Sequence, residues 1–180
     1  MSDMPLPDAA ALIAKLRNKL AAWPGIVDFH FIGIERGGML LARWLHEELH
    51  IKGRLGSLNI SFHRDDFSSM GLAGHKVKNP LLGPSHIPFS LTGADVMLID
   101  DVFMTGRSTR AALNELFDFG RPKCVRFACL IDLGVSELPI QPDLAATSLT
   151  LEASERIQLS RDEAGDFRLQ LRSLTVTTRN

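Results

Sequence analysis

Two continuous apolar runs, each ending in acid, constrain this chain more than any other feature: ADVMLIDD at 94–101 and KCVRFACLID at 123–132. A strand with one wet face alternates apolar and polar residues, so an uninterrupted run implies cover on both faces. Between them STRAALNELFDFG, 108–120, has helical spacing and stops at Gly120. Strand, helix, strand in that order predicts an α/β fold, with a central, mostly parallel twisted sheet and helices on both faces.

The rest of the chain fits that plan. Leu12, Ile13, Leu16 and Leu20 recur at helical spacing over 7–22, and Pro24-Gly25 ends the pattern. VDFHFIGI, 27–34, predicts a strand, Gly37-Gly38 opens a second helix through His50, and LGSLNISF, 55–62, predicts another strand. Residues 63–88 mix Gly, Ser, Asn, Pro and charge without periodicity, as a flexible lid loop would, with glycines at 71, 74 and 83. ERIQLSRDEAGDFRLQLR alternates around a turn at Glu163–Asp166 and predicts a C-terminal β-hairpin, followed by a loose tail at 175–180. The whole, 1–180, reads as a single domain.

A formal net charge of −1 offers no global attraction to nucleic acid or membrane. The start, MSDMPLPDAA, lacks a basic and then apolar leader, and no apolar run approaches a membrane span. Cys124 and Cys129 fall on opposite faces of one strand, where they cannot bridge each other. These features predict a soluble, cytoplasmic protein with reduced cysteines.

The chemistry concentrates in VMLIDDVFMTGRSTRAALNEL, 96–116. In open α/β sheets ligands bind beyond the carboxyl ends of the strands, and Asp100 and Asp101 stand at such an end. Thr105-Gly106-Arg107-Ser108-Thr109 then leads into a helix, whose first N–H groups and dipole favour a phosphate. Two acids before a phosphate cradle suit a phosphorylated sugar, the carboxylates accepting from vicinal ribose hydroxyls. Mg²⁺ bound through water would sit near them, since it prefers oxygen ligands and keeps several waters.

A second loop, Gly33-Ile34-Glu35-Arg36-Gly37-Gly38, also follows a strand and opens a helix, and offers a place for a second anion. Neither loop is a nucleotide-triphosphate P-loop, which needs a Gly-rich stretch ending in Lys-Ser or Lys-Thr, nor a G-x-G-x-x-G dinucleotide loop. His46 and His50 lie four apart on the second helix without a third ligand, as on a solvated face. Lys15, Arg17 and Lys19 make a basic stripe on the first helix, again read as solvated.

Segment 96–116 resembles the 5-phosphoribosyl diphosphate signature of type I phosphoribosyltransferases. SFHRDDFS (61–68), HIPFSLTG (86–93), ELFDFGRPKCVRFACLID (115–132) and ELPIQPD (137–143) further resemble the PyrR proteins, in the family's order. The resemblance implies the type I phosphoribosyltransferase fold and a uracil phosphoribosyltransferase that makes UMP and diphosphate from uracil and 5-phosphoribosyl diphosphate, with Mg²⁺. It implies catalytic roles for Asp100, Asp101 and Arg64. The 5′-phosphate would lie on Thr105, Gly106, Arg107, Ser108 and Thr109, and the diphosphate on Glu35, Arg36, Gly37 and Gly38. The base would lie against Asp132, Leu133, Gly134 and Val135, with metal held near Asp100 and Asp101 through diphosphate and water. Lys76 and Lys78 are further lid cations, and a homodimer or larger homo-oligomer follows the family's habit.

Where the family pattern reads D-R-G-H-R-E-L-P-I-R, this chain has Leu133, Val135, Ser136 and Gln141 in place of a histidine and three arginines. That loss argues against the RNA contact the resemblance implies, since phosphate contacts dominate such affinity. Two alternatives stay open: a nucleotide-sensing regulator of pyrimidine genes with little catalysis, and a phosphoribosyltransferase for another base.

Overall fold

The structure is a computed structural model; it describes residues 6–60, 84–152 and 154–173. Within it β1 (His30–Ile34), β2 (Leu55–Leu58), β3 (Asp95–Phe103), β4 (Cys124–Asp132) and β5 (Leu144–Ser148) form one sheet ordered β2-β1-β3-β4-β5. Every pairing in it is parallel. Helices α1 (Ala9–Ala21) and α2 (Gly37–Glu48) cover one face, and α3 (Arg107–Phe119) covers the other. A hairpin of β6 (Glu155–Arg161) and β7 (Phe167–Ser173) packs beside the first face.

The apolar run of β3 is unbroken because both of its faces are dry. Met97 and Ile99 enter the core with Leu16, Leu20, Leu41 and Leu45 of α1 and α2. Val96 and Leu98 enter the opposite core with Ala112 and Leu116 of α3. Burial of these side chains at about 25 cal/mol per Å² of apolar area drives the layering. Asp8 closes the start of α1, accepting the Ala11 N–H at 2.7 Å.

Strand order reverses at β1 and β3. The connection out of β1 runs through α2 to β2 on one side, while that out of β3 runs through α3 to β4 on the other. The two loops leaving the carboxyl ends of β1 and β3 therefore diverge, opening the crevice where such sheets bind ligands.

Several boundaries differ from the sequence expectation. The strand expected over 27–34 begins only at His30, because Gly25, at φ 71°, starts a 3₁₀ turn over Ile26–Asp28. The Val27 carbonyl is taken there by the N–H groups of Lys52 and Gly53. β3 runs two residues past the paired acids, since Val102 and Phe103 still pair with Ile131 and Asp132. The edge strand β5, LAATS, is not among the expected strands; one leucine followed by four small residues makes no long apolar run. His46 is not on a solvated face: its ring is half-buried, with Nε2 2.7 Å from the Gly53 carbonyl. Lys19 on the basic stripe donates to the Ala145 carbonyl of β5 at 2.6 Å.

Residues 63–83 of the expected lid, the last two residues of the strand expected over 55–62, and the expected tail at 175–180 lie outside the described residues. The His86 end of that segment exchanges both backbone hydrogen bonds with Ser57 at 2.8 Å. No helix among the described residues is long and apolar enough to cross a membrane.

His30 gives the fold a pH dependence. Its Nδ1 accepts the Arg54 N–H at 2.7 Å and its ring lies 4.5 Å from that of Phe89. Burial first, and then the Arg54 charge, hold its pKa below the usual value. As pH falls through about 6.5, the unfolded chain takes up this proton before the folded one, so stability present above that pH is lost below it. We predict that lowering the pH from neutral to mildly acid depresses the Tm of the wild type more than that of His30→Asn, measured by thermal melts across pH.

Candidate active site

The centre of the crevice is the end of β3. Asp100 and Asp101 are buried, 3% and 5% exposed. Buried carboxyl oxygens need donors, and the chain supplies them. Asp100 Oδ1 accepts the Asp101 N–H at 2.9 Å. Asp101 Oδ2 accepts the Leu159 N–H of β6, also at 2.9 Å.

The start of α2 lies directly on this pair. A Cβ on Gly37 would stand 2.1 Å from Asp101 Oδ2, and one on Gly38 would stand 2.5 Å from the Ile99 carbonyl and 3.1 Å from Asp100 Oδ1. Only hydrogen fits at either position, so the two glycines let a helix N-terminus close on two acids. Glu35 before them is half-buried, Arg36 is exposed, and the peptide between the two is cis.

On the other side of the crevice the turn after β3 opens α3. Gly106 takes φ 87°, where an L side chain is disfavoured, and its carbonyl accepts the Arg110 N–H at 2.8 Å to begin the helix. Thr105 Oγ1 accepts the Arg107 N–H at 3.3 Å. Thr109 is 1% exposed, so its hydroxyl belongs to the buried side of the turn, while Ser108 is half-buried.

The Arg107 guanidinium is engaged elsewhere: Nη2 and Nε donate to Glu137 Oε2 at 2.6 and 3.0 Å. What this turn presents to an anion is backbone N–H groups and hydroxyls, with the arginine tied at its rim.

Segment 132–138 is sewn to the same turn. The Leu133 N–H donates to the Phe103 carbonyl at 3.0 Å, and the Glu137 N–H to the Thr105 carbonyl at 2.9 Å. Asp132 Oδ1 accepts the Gly134 N–H at 2.8 Å, and Gly134 has φ 66°. Leu133 is buried in the core while Val135 is 52% exposed. The side chain of Leu133 thus serves packing, and only its backbone faces the turn. A cavity of about 760 Å³ lies beside it, along α3, lined by both signs of charge: Arg107 and Arg110 against Glu115, Asp118 and Glu137.

Cys129 pairs in register with Asp100 beneath the site. Burial, and then the charges of Asp100 and Asp132, push its thiol well above the ordinary value. It is a core side chain and no nucleophile.

The structure therefore brings together Asp100, Asp101, Glu35–Gly38, Thr105–Thr109 and Asp132–Val135. Arg64, Lys76 and Lys78 lie outside the described residues. Two partners escaped sequence reasoning: the Leu159 N–H, since a backbone donor leaves no trace in residue type, and Glu137 as holder of Arg107. Both are long-range contacts without a spacing rule.

The chain matches the phosphoribosyl transferase domain model over residues 6–155. It is 46% identical over 170 residues to "Bifunctional protein PyrR" of Pseudomonas syringae pv. tomato, covering 93% of this chain and 96% of that protein. The protein of the same name from Pseudomonas fluorescens is 45% identical over 170 residues, 93% of this chain and 98% of that one. Among solved structures, a purine phosphoribosyltransferase from Pyrococcus horikoshii aligns with TM-score 0.57 at 24% identity, over 78% of this chain and 82% of that chain. A hypoxanthine phosphoribosyltransferase from Staphylococcus aureus aligns with TM-score 0.60 at 13% identity, over 83% and 80%. At those identities the two structures establish the shared fold.

The glycine packing generates a prediction. Gly37→Ala forces a Cβ against the Asp101 carboxylate, an overpacking worth about 1–3 kcal/mol. Its Tm is expected to fall by several degrees in a calorimetric scan. Glu137→Gln alters an exposed pair, 51% and 56% exposed, and is expected to leave the free energy of unfolding within about 1 kcal/mol of the wild type.

Proposed function

The chain belongs to the phosphoribosyl transferase domain family and, within it, to the PyrR proteins, and on that premise we propose that it transfers the phosphoribosyl group of 5-phosphoribosyl diphosphate to uracil, giving UMP and diphosphate. One observation carries the reading: two helix N-termini flank a single pair of buried acids at the β1–β3 crevice. The substrate has the matching pattern, with two anionic groups on one sugar that also bears vicinal hydroxyls.

In this reading the pair Asp100–Asp101 holds the ribose hydroxyls. The backbone N–H groups and hydroxyls of Thr105–Thr109 take the 5′-phosphate, and Glu35–Gly38 take the diphosphate. The peptide edge of Asp132–Val135 meets the base. Bond breaking at the anomeric carbon leaves an oxocarbenium-like sugar, so the chain's work is to hold base and sugar in line and to keep water out. No nucleophile from the protein is needed. Arg64 is carried as a further catalytic cation.

Mg²⁺ fits this chemistry, because the donors at hand, Asp100 and Asp101, are hard oxygen ligands. When bound through the diphosphate and water, it would supply positive charge against the departing group. The cysteines Cys124 and Cys129 are unbridged, which suits a cytoplasmic setting.

A regulatory role beside catalysis is favoured by the relatives' printed word "bifunctional". On this chain the 132–141 segment, with Leu133, Val135, Ser136 and Gln141, offers little charge to RNA.

The test is diphosphate release from 5-phosphoribosyl diphosphate with Mg²⁺, comparing uracil with hypoxanthine and guanine. Uracil-dependent turnover is expected, with Asp100→Asn lowering kcat/KM on the order of 100-fold. Turnover with a purine base alone would move the specificity. Absence of turnover with every base, together with tight UMP binding, would favour the sensor.

A further inference from the structure

We propose that Glu137 is a positioning residue: from a separate segment it closes the start of α3, and so fixes the turn that takes the 5′-phosphate. This deepens the proposed function and rests on its placing of the phosphate on that turn.

Helix α3 begins poorly by its own sequence. Its cap is Gly106, which has no side chain to accept the first N–H groups, and no acid stands in its first turn. Thr105 Oγ1 accepts the Arg107 N–H, but at 3.3 Å. Arg107 and Arg110 place cations at the positive end of the helix dipole. The missing negative charge arrives from the chain beyond β4: Glu137 Oε2 accepts from Arg107 Nη2 and Nε at 2.6 and 3.0 Å.

Glu137 grips the turn twice. Its own N–H donates to the Thr105 carbonyl at 2.9 Å, so the main chain and side chain of one residue hold the bend on both sides of Gly106. The neighbours of Glu137 lie against the bend itself. A Cβ on Gly106 would stand 3.5 Å from Leu138 Cβ and 3.6 Å from Ser136 Oγ. That hydroxyl donates to the carbonyls of Leu138 at 2.7 Å and Ile140 at 3.1 Å, which keeps 136–140 folded against the turn. Gly106, at φ 87°, is the point of greatest backbone freedom that such a grip restrains.

The pair acts on shape more than on global stability. Its side chains are 56% and 51% exposed, and exposed ion pairs add little to folding. The turn, however, has to converge several N–H groups on one anion, and a small change of angle weakens all of those bonds together. The segment that carries Glu137 also carries the proposed base edge at 132–135, so one residue keeps the spacing between base and phosphate.

Titration calorimetry with ribose 5-phosphate and with pyrophosphate separates the turn from the rest of the site. Glu137→Ala should weaken ribose 5-phosphate by about fivefold, which is the upper end for an exposed pair, about 1 kcal/mol, at about 1.4 kcal/mol per tenfold. Pyrophosphate, assigned to the loop at 35–38, should keep its affinity. In turnover, KM for 5-phosphoribosyl diphosphate should rise by the same factor while kcat stays within about twofold. Arg107→Ala should match Glu137→Ala, and the double variant should lose no more, as one shared contact requires. In the ligand-free protein, NMR order parameters of the Gly106 and Ser108 amides should fall in Glu137→Ala, with the Leu116 amide of α3 as the unchanged reference.

Unchanged or tighter binding of ribose 5-phosphate by Glu137→Ala overturns the proposal, since the carboxylate would then be idle or would hold Arg107 away from the phosphate. An equal loss of pyrophosphate affinity overturns it, and so does additivity of the two substitutions. Should Glu137→Ala fail to fold, Glu137→Gln decides by the same readings. The order parameters need no ligand, and their failure to fall overturns the grip whatever binds. A wild type that binds no ribose 5-phosphate, beside a variant whose order parameters do fall, would count against the proposed function and leave the grip standing.

Discussion

Burying two adjacent carboxyl groups at the end of a central strand is the constraint on which the rest of this molecule depends. Such groups leave water at a cost of several kcal/mol unless donors and favourable dipoles replace it. Here the replacement comes from three places far apart in sequence: the β3 backbone itself, the start of α2, and a strand of the C-terminal hairpin. Each has to arrive with close tolerance, and two glycines are needed to admit one of them. The packing of α1 and α2 on one face and α3 on the other is what delivers that tolerance.

In the proposed reading, the same arrangement lets the site take a doubly anionic sugar without a cluster of described cations inside it. Helix N-termini at Gly37 and Arg107 provide fixed positive partial charge that needs no counter-ion. The arginine of the phosphate turn is anchored to Glu137 at the rim, so the turn's shape is held from outside while its backbone faces the crevice. Because Leu133 and Glu137 both donate backbone hydrogen bonds into the turn, the proposed base segment and the proposed phosphate turn share one rigid frame. Positioning two reactants on one frame is how a reaction lacking a protein nucleophile gains most of its rate.

Much of this was legible in the sequence, and the reasons are physical. The runs over β3 and β4 are long, apolar on both faces and interrupted by an amphipathic helix, so the doubly covered parallel sheet followed from periodicity. The acids and the Thr105–Thr109 turn declared themselves by standing where a strand meets a helix. What stayed hidden was set by tertiary contact. The edge strand β5 has small residues and owes its state to pairing with β4. His46 looked solvated because spacing cannot foresee the Gly53 carbonyl that closes on it. Spacing likewise could not foresee that the Leu133 side chain is buried in the core, leaving its backbone to face the turn. The donor that satisfies the buried Asp101 carboxylate is an amide 58 residues away, which no residue type encodes.

The most direct test of the central claim is to map backbone amide shifts by NMR while 5-phosphoribosyl diphosphate is added with Mg²⁺. The account predicts perturbations concentrated at two separate helix starts, Gly37–Gly38 and Gly106–Thr109, that saturate together, with Asp100 and Asp101 shifting on the same curve. Perturbations confined to one of the two, or centred on the α3 cavity around Arg110 and Asp118, would contradict it.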